Sequence, residues 1–108
     1  MFKCTVCGYI SEELDFEACP KCGAPKEKFE ELAADAAQKV ERSRVTNGLH
    51  VAMMNMLEEV QALAEDGIND DLDPNCVKIF QQAAKQSEIL VQSIKAELQG
   101  HMTRGKWG

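Results

Sequence analysis

Residues 4–29 read CTVCGYISEELDFEACPKCGAPKEKF. Two Cys-x-x-Cys pairs, Cys4 with Cys7 and Cys19 with Cys22, stand eleven residues apart, and a glycine follows each pair, Gly8 and Gly23. A Cys-x-x-Cys turn brings two sulfurs to one metal ion, and a chain that folds back delivers a second pair, completing tetrahedral S4 coordination. A glycine behind each pair permits a positive φ, so the backbone curls and aims N–H groups at the sulfurs. Those donors offset the charge of four thiolates and so govern how readily a bound ion holds an electron. The pattern predicts a metal site made of Cys4, Cys7, Cys19 and Cys22. Zinc and a single iron both suit four thiolates, and the coordination type does not separate them.

The rest of the chain limits what such a site can serve. With 108 residues there is room for one domain, or for a helical domain with a small appendage. Hydrophobic residues at 44% and charged residues at 28% belong to a chain that folds, not to a disordered one. A net charge of -6 and a pI near 4.9 argue against nucleic acid and against anionic membrane surfaces as partners. The start, MFKCTVC, has no charged-then-apolar run, and no stretch is apolar for long enough to span a bilayer, so a cytoplasmic protein is expected. In a reducing compartment the paired cysteines read as metal ligands rather than disulfides.

Composition divides the chain into a metal-binding domain over residues 1–30 and a helical domain over 31–108. Pro20, Pro25 and the paired glycines mark the first as turn-rich, whereas Ala, Glu, Gln, Lys and Leu dominate after Pro25. A first helix is expected over about residues 27–43. The apolar period slips between Val40 and Val45, which places a bend or break in SRVTNG, residues 43–48. Beyond it Leu49, Met53, Met56, Val60 and Leu63 keep a four-three spacing, the seam of a helix packed on other helices, over about residues 45–66. Asp66 and Gly67 are read as its end. Asp73 as N-cap and Pro74 at the first position open a last helix over about 74–99, with Gly100 closing it before an irregular tail, 100–108. A hairpin of this kind cannot bury an apolar stripe on both sides, so a second copy of the chain is expected to complete a four-helix bundle.

The cysteine segments also carry a family resemblance. CTVCGYI and CPKCGAPKEKF resemble the two metal-binding loops of rubredoxin, and the short spacer is more similar to the compact rubredoxin-like domain at the end of rubrerythrins. The likeness covers residues 2–30. It implies a one-electron Fe(II)/Fe(III) site ligated by Cys4, Cys7, Cys19 and Cys22, with Tyr9 and Phe29 packed near it. The short spacer omits most of the aromatic core of full rubredoxins, which leaves the metal more exposed and keeps zinc open. Rubrerythrins also carry a di-iron helical domain built on Glu-x-x-His pairs. Here no Glu has a His three positions later, and the two histidines are His50 and His101. A peroxidase of that kind is not expected.

Other residues offer plainer readings. Cys76, in the first turn of the last helix, reads as a small buried residue rather than a dipole-activated thiolate. His50 reads as a core or rim histidine, His101 as a complement to a helix C-terminus, and Met53 and Met56 as core. Trp107 stands beside Arg104 and Lys106 in a tail that either anchors a partner or folds back. Glu12, Glu13, Asp15 and Glu17 between the cysteine pairs form an acidic patch that either steers a basic partner or is simply solvated. The expected protein is a non-enzymatic electron carrier: a rubredoxin-like module on a helical hairpin that dimerises or docks on a redox enzyme. The alternative is a zinc-ribbon adaptor with a structural metal and a helical interaction surface.

Overall fold

The computed structural model describes residues 1–108, and they form two units, Met1–Arg44 with Gly105–Gly108, and Val45–Arg104. In the first, β1 (Phe2–Cys4) is the centre of a three-stranded antiparallel sheet, flanked by β2 (Ile10–Ser11) and β3 (Phe29–Glu31). Cys4 stands opposite Phe29, and Lys3 opposite Glu30, so alternation along the strands sends Cys4 and Phe29 to one face and Lys3 and Glu30 to the other. Cys4, Cys19 and Phe29 are the buried centre of this unit, with Phe2, Leu14 and Phe16 around them. The rings of Phe16 and Phe29 meet at 5.0 Å, tilted by 56°.

The expected helix from residue 27 does not form there. Lys26–Lys28 make a single 3-10 turn, and Phe29 leaves it in extended conformation, φ -91° and ψ 135°. Pairing with β1 satisfies this backbone while the Phe29 ring fills the space beside Cys4, and that packing overrides the helical composition of the segment. The first helix, α1 (Ala34–Asp70), starts seven residues later than expected, with Asp35 in its first turn.

No break interrupts the helical hydrogen bonding of α1 at residues 43–48. Ser43 Oγ donates to the Lys39 carbonyl 2.7 Å away, and Ser43 and Asn47 are buried, so polar residues carry the period that appeared to slip. From Asn47 onward the covered positions are Asn47, His50, Met54, Leu57, Gln61 and Ala64, a regular three-four series. The apolar series expected as the packed seam is the exposed one: Leu49 is 65% exposed, Met56 67% and Leu63 67%.

The hairpin formed with α2 (Pro74–Thr103) explains the other differences. Gly67 lies inside α1, because the Phe80 ring of α2 occupies the space where its Cβ would stand. Asp71, at φ 49°, takes the left-handed position at the turn instead. Asp73 caps α2 as expected, accepting from the Cys76 N–H at 2.8 Å. Gly100 does not end α2, which continues to Thr103, with Arg104 laid over Gly100 and bonded to Glu97 at 3.1 Å. Val91, Ile94 and Leu98 are buried along α2. At one end of the hairpin His101 is buried, with Nδ1 2.5 Å from Asn47 Oδ1 and Nε2 3.1 Å from Glu97. The His50 ring meets it edge-on at 6.3 Å.

Candidate metal centre

The two cysteine loops fold by the same backbone rule. Cys4 N–H donates to the Tyr9 carbonyl at 2.8 Å and Gly8 N–H to the Cys4 carbonyl at 2.9 Å; Cys19 N–H donates to Ala24 at 2.7 Å and Gly23 N–H to Cys19 at 2.9 Å. Gly8 at φ 79° and Gly23 at φ 74° make each turn possible, a conformation that costs an L side chain strain. β1 pairing anchors the first loop and an Ala18 to Pro25 bridge closes the second.

These turns bring Cys4, Cys7, Cys19 and Cys22 together, all four sulfurs within 4.8 Å of one another. Cys4 Sγ lies 3.8 Å from Cys22 Sγ, and Cys7 Sγ lies 3.7 Å from Cys19 Sγ. A tetrahedron with metal–sulfur bonds of about 2.3 Å has sulfurs about 3.8 Å apart, so the donor set fits one tetrahedral ion. The geometry fits iron and zinc alike.

Electrostatics within the cluster is uneven. Burial works against the Cys19 thiolate, but the backbone N–H groups of Cys22 and Lys21 outweigh it, and its pKa falls to about 7. Cys4 is lowered in the same way: burial opposes, and N–H donors from Cys7 and Val6 prevail. Cys22 receives a favourable N–H from Ala24, yet partial desolvation and the three neighbouring sulfurs push it up to about 12. The cluster gives up its first protons readily and its last one reluctantly, the behaviour of a site that needs a cation to balance crowded thiolates. Access is uneven too. Cys4 and Cys19 are buried, Cys7 is half-buried and Cys22 is exposed.

Phe29 is buried against the cluster and Tyr9 packs beside it, half-buried. Of the acidic spacer residues, Glu12 pairs with Arg44 at 2.9 Å, and Arg44 Nε also donates to the Gly108 carbonyl. The tail therefore returns to the metal-binding unit, leaving Trp107 40% exposed. Nothing in local sequence marks Arg44 for this role. Cys76 stays outside the metal group: its thiol donates to Asp73 Oδ2 at 3.3 Å, and that bond, with burial, raises its pKa. No helix is long and apolar enough to cross a membrane.

Comparison with known proteins places one family on this region: residues 2–30 match the rubredoxin-like domain of rubrerythrin. The match covers the sheet and all four cysteines and leaves both long helices outside it. No curated protein and no solved structure matches the chain.

Proposed function

We propose that the protein is a one-electron carrier whose four cysteines hold a single iron ion. Cys4, Cys7, Cys19 and Cys22 would hold the ion, and iron there would supply an Fe(II)/Fe(III) couple for one-electron exchange between a donor and an acceptor protein. The observation that carries this reading is the paired loop itself, with sulfurs at tetrahedral spacing and backbone N–H donors aimed at Cys4, Cys19 and Cys22. Such donors favour the reduced state, which carries one more negative charge on the same sulfurs. Burial of Cys4 and Cys19 excludes water from one side, and exposed Cys22 offers the edge where a redox protein or enzyme approaches.

The helical hairpin serves to dimerise the carrier or dock it on that partner, and substrate chemistry belongs to the partner. The thiols need a reducing compartment, which the cytoplasm provides. A zinc-ribbon adaptor is the second reading. The exposure of Cys22 favours it, because an open ligand does little to shelter a redox ion.

Metal analysis and visible spectra of protein expressed with both metals supplied test the choice. One iron per chain, with colour that bleaches under dithionite and returns in air, is expected. A colourless protein that keeps one zinc, and shows no redox response after iron reconstitution, overturns the carrier. Cys22→Ser should abolish the colour and leave the far-UV helicity of the hairpin in place.

A further inference from the structure

The most apolar face of the hairpin is covered by nothing in the chain. Leu49, Met53, Met56, Val60 and Leu63 are between 39% and 67% exposed, yet they follow the four-three spacing of a helix-packing seam. From Val45 to Leu57 α1 carries no Asp, Glu, Lys or Arg. A turn of 100° per residue sets Ile79, Gln86 and Leu90 of α2 on the same side, where the next charge is Glu97 at the far end, already paired with His101 and Arg104. The charges gather elsewhere, as in the opposite groove, where Glu65 of α1 meets Lys85 and Glu88 of α2.

We infer that this face is the interface of a homodimer, in which a second hairpin completes a four-helix bundle. Three features select a second copy. The chain carries a net charge of -6, so two copies repel least where they meet through a face poor in charge. The seam is nearly palindromic. Laid antiparallel on itself about a two-fold axis at Met56, it sets Leu49 against the partner's Leu63 and Met53 against the partner's Val60, as an isologous contact requires. The area is also sufficient. Residues 45–70 extend about 39 Å at 1.5 Å per residue, and two packed helices are about 20 Å across, a face of roughly 800 Å². That equals the roughly 800 Å² per partner of a stable interface. The inference deepens the dimerisation role proposed for the hairpin and does not depend on which metal the cysteines hold.

Sedimentation equilibrium and light scattering of the full metal-loaded chain test it, alongside Met56→Glu, Met56→Lys and, on the charged side, Asn55→Glu. The wild type should have twice the 12.0 kDa mass. Either Met56 variant should raise the dimer dissociation constant on the order of a hundredfold, by setting like charges across the axis. Asn55→Glu should not. Far-UV helicity should persist in the Met56 variants, since that side chain is 67% exposed in the single chain. An equimolar mixture of Met56→Glu and Met56→Lys should dimerise again. A wild type that stays monomeric at about 100 µM overturns the dimer altogether. A wild-type dimer indifferent to both Met56 changes refutes this face and leaves dimerisation to another, while the spectral test of iron stands apart from either result.

Discussion

Gly67 and Gly48 both lie inside α1, and replacing each with alanine should change stability in opposite directions. In an exposed helix interior the exchange stabilises by about 0.8–1.0 kcal/mol, and nothing lies within 4 Å of a Cβ built on Gly48. At Gly67 the same Cβ would stand 2.4 Å from two carbons of the Phe80 ring and 2.5 Å from a third. Carbon atoms rest at about 3.5–4.0 Å, so the ring must recede by roughly 1.1–1.6 Å from its place between the helices. Overpacking of this kind costs about 1–3 kcal/mol, which exceeds the gain in propensity and leaves Gly67→Ala about 1 kcal/mol less stable than wild type. Urea unfolding followed at 222 nm, at one fixed protein concentration, reads both changes. The two variants should differ by about 2 kcal/mol, and combining Gly67→Ala with Phe80→Leu should shrink that difference. If Gly67→Ala stabilised as much as Gly48→Ala, the Phe80 contact would not be what keeps residue 67 a glycine.

The metal-free module should show a stability maximum near pH 9 in near-UV circular dichroism between about pH 6 and 11. Cys19, lowered to about 7 from an ordinary 9.0, contributes stability that is complete above pH 9 and lost as the pH falls through 7; Cys22, raised to about 12, contributes stability complete below pH 9 and lost as the pH rises through 12. Bound metal should flatten that profile, because ligation holds all four sulfurs deprotonated, and a flat metal-free profile would count against the cluster's electrostatics. Asp73→Asn should speed alkylation of Cys76 by removing the carboxylate that raises its pKa, while Asp73→Ala, which removes the cap, should cost about 1 kcal/mol in urea. An unchanged alkylation rate would contradict the Asp73 contact. His101→Ala should cost about 1–3 kcal/mol, since it strips the buried Asn47 carbonyl of its imidazole partner, and a loss below about 0.5 kcal/mol would mean that the pair does not hold the hairpin end.

The metal centre was legible because its information is local. A Cys-x-x-Cys turn closed by glycine folds by its own backbone bonds, so the spacing of Cys4, Cys7, Cys19 and Cys22 already implied two matching loops. The cap at Asp73 and Pro74 was legible for the same reason, since the bonds that start a helix lie within one turn. Segments whose state depends on distant neighbours were not. Phe29 sits in a helix-rich composition and becomes a strand because β1 lies beside it; Gly67 looks like a helix end and is an interior residue because Phe80 covers it.

The helical period misled for a more instructive reason. α1 carries two stripes, and hydrophobicity pointed to Leu49, Met53, Met56, Val60 and Leu63, whereas the hairpin buries Asn47 and partly covers His50, Met54, Leu57 and Gln61. A polar residue counts as solvent-facing in any reading of periodicity, yet burial asks only that its hydrogen bonds be met, and the Asn47 carbonyl meets the ring of His101. The sequence by itself therefore determined the metal-binding loops, the start of the last helix and the presence of an apolar seam, all set by spacing along the chain, whereas the three helices it suggested are two. The tertiary structure alone decided which stripe faces α2 and which stays open, because that choice rests on contacts between residues more than fifty positions apart, Asn47 with His101, that no local pattern encodes.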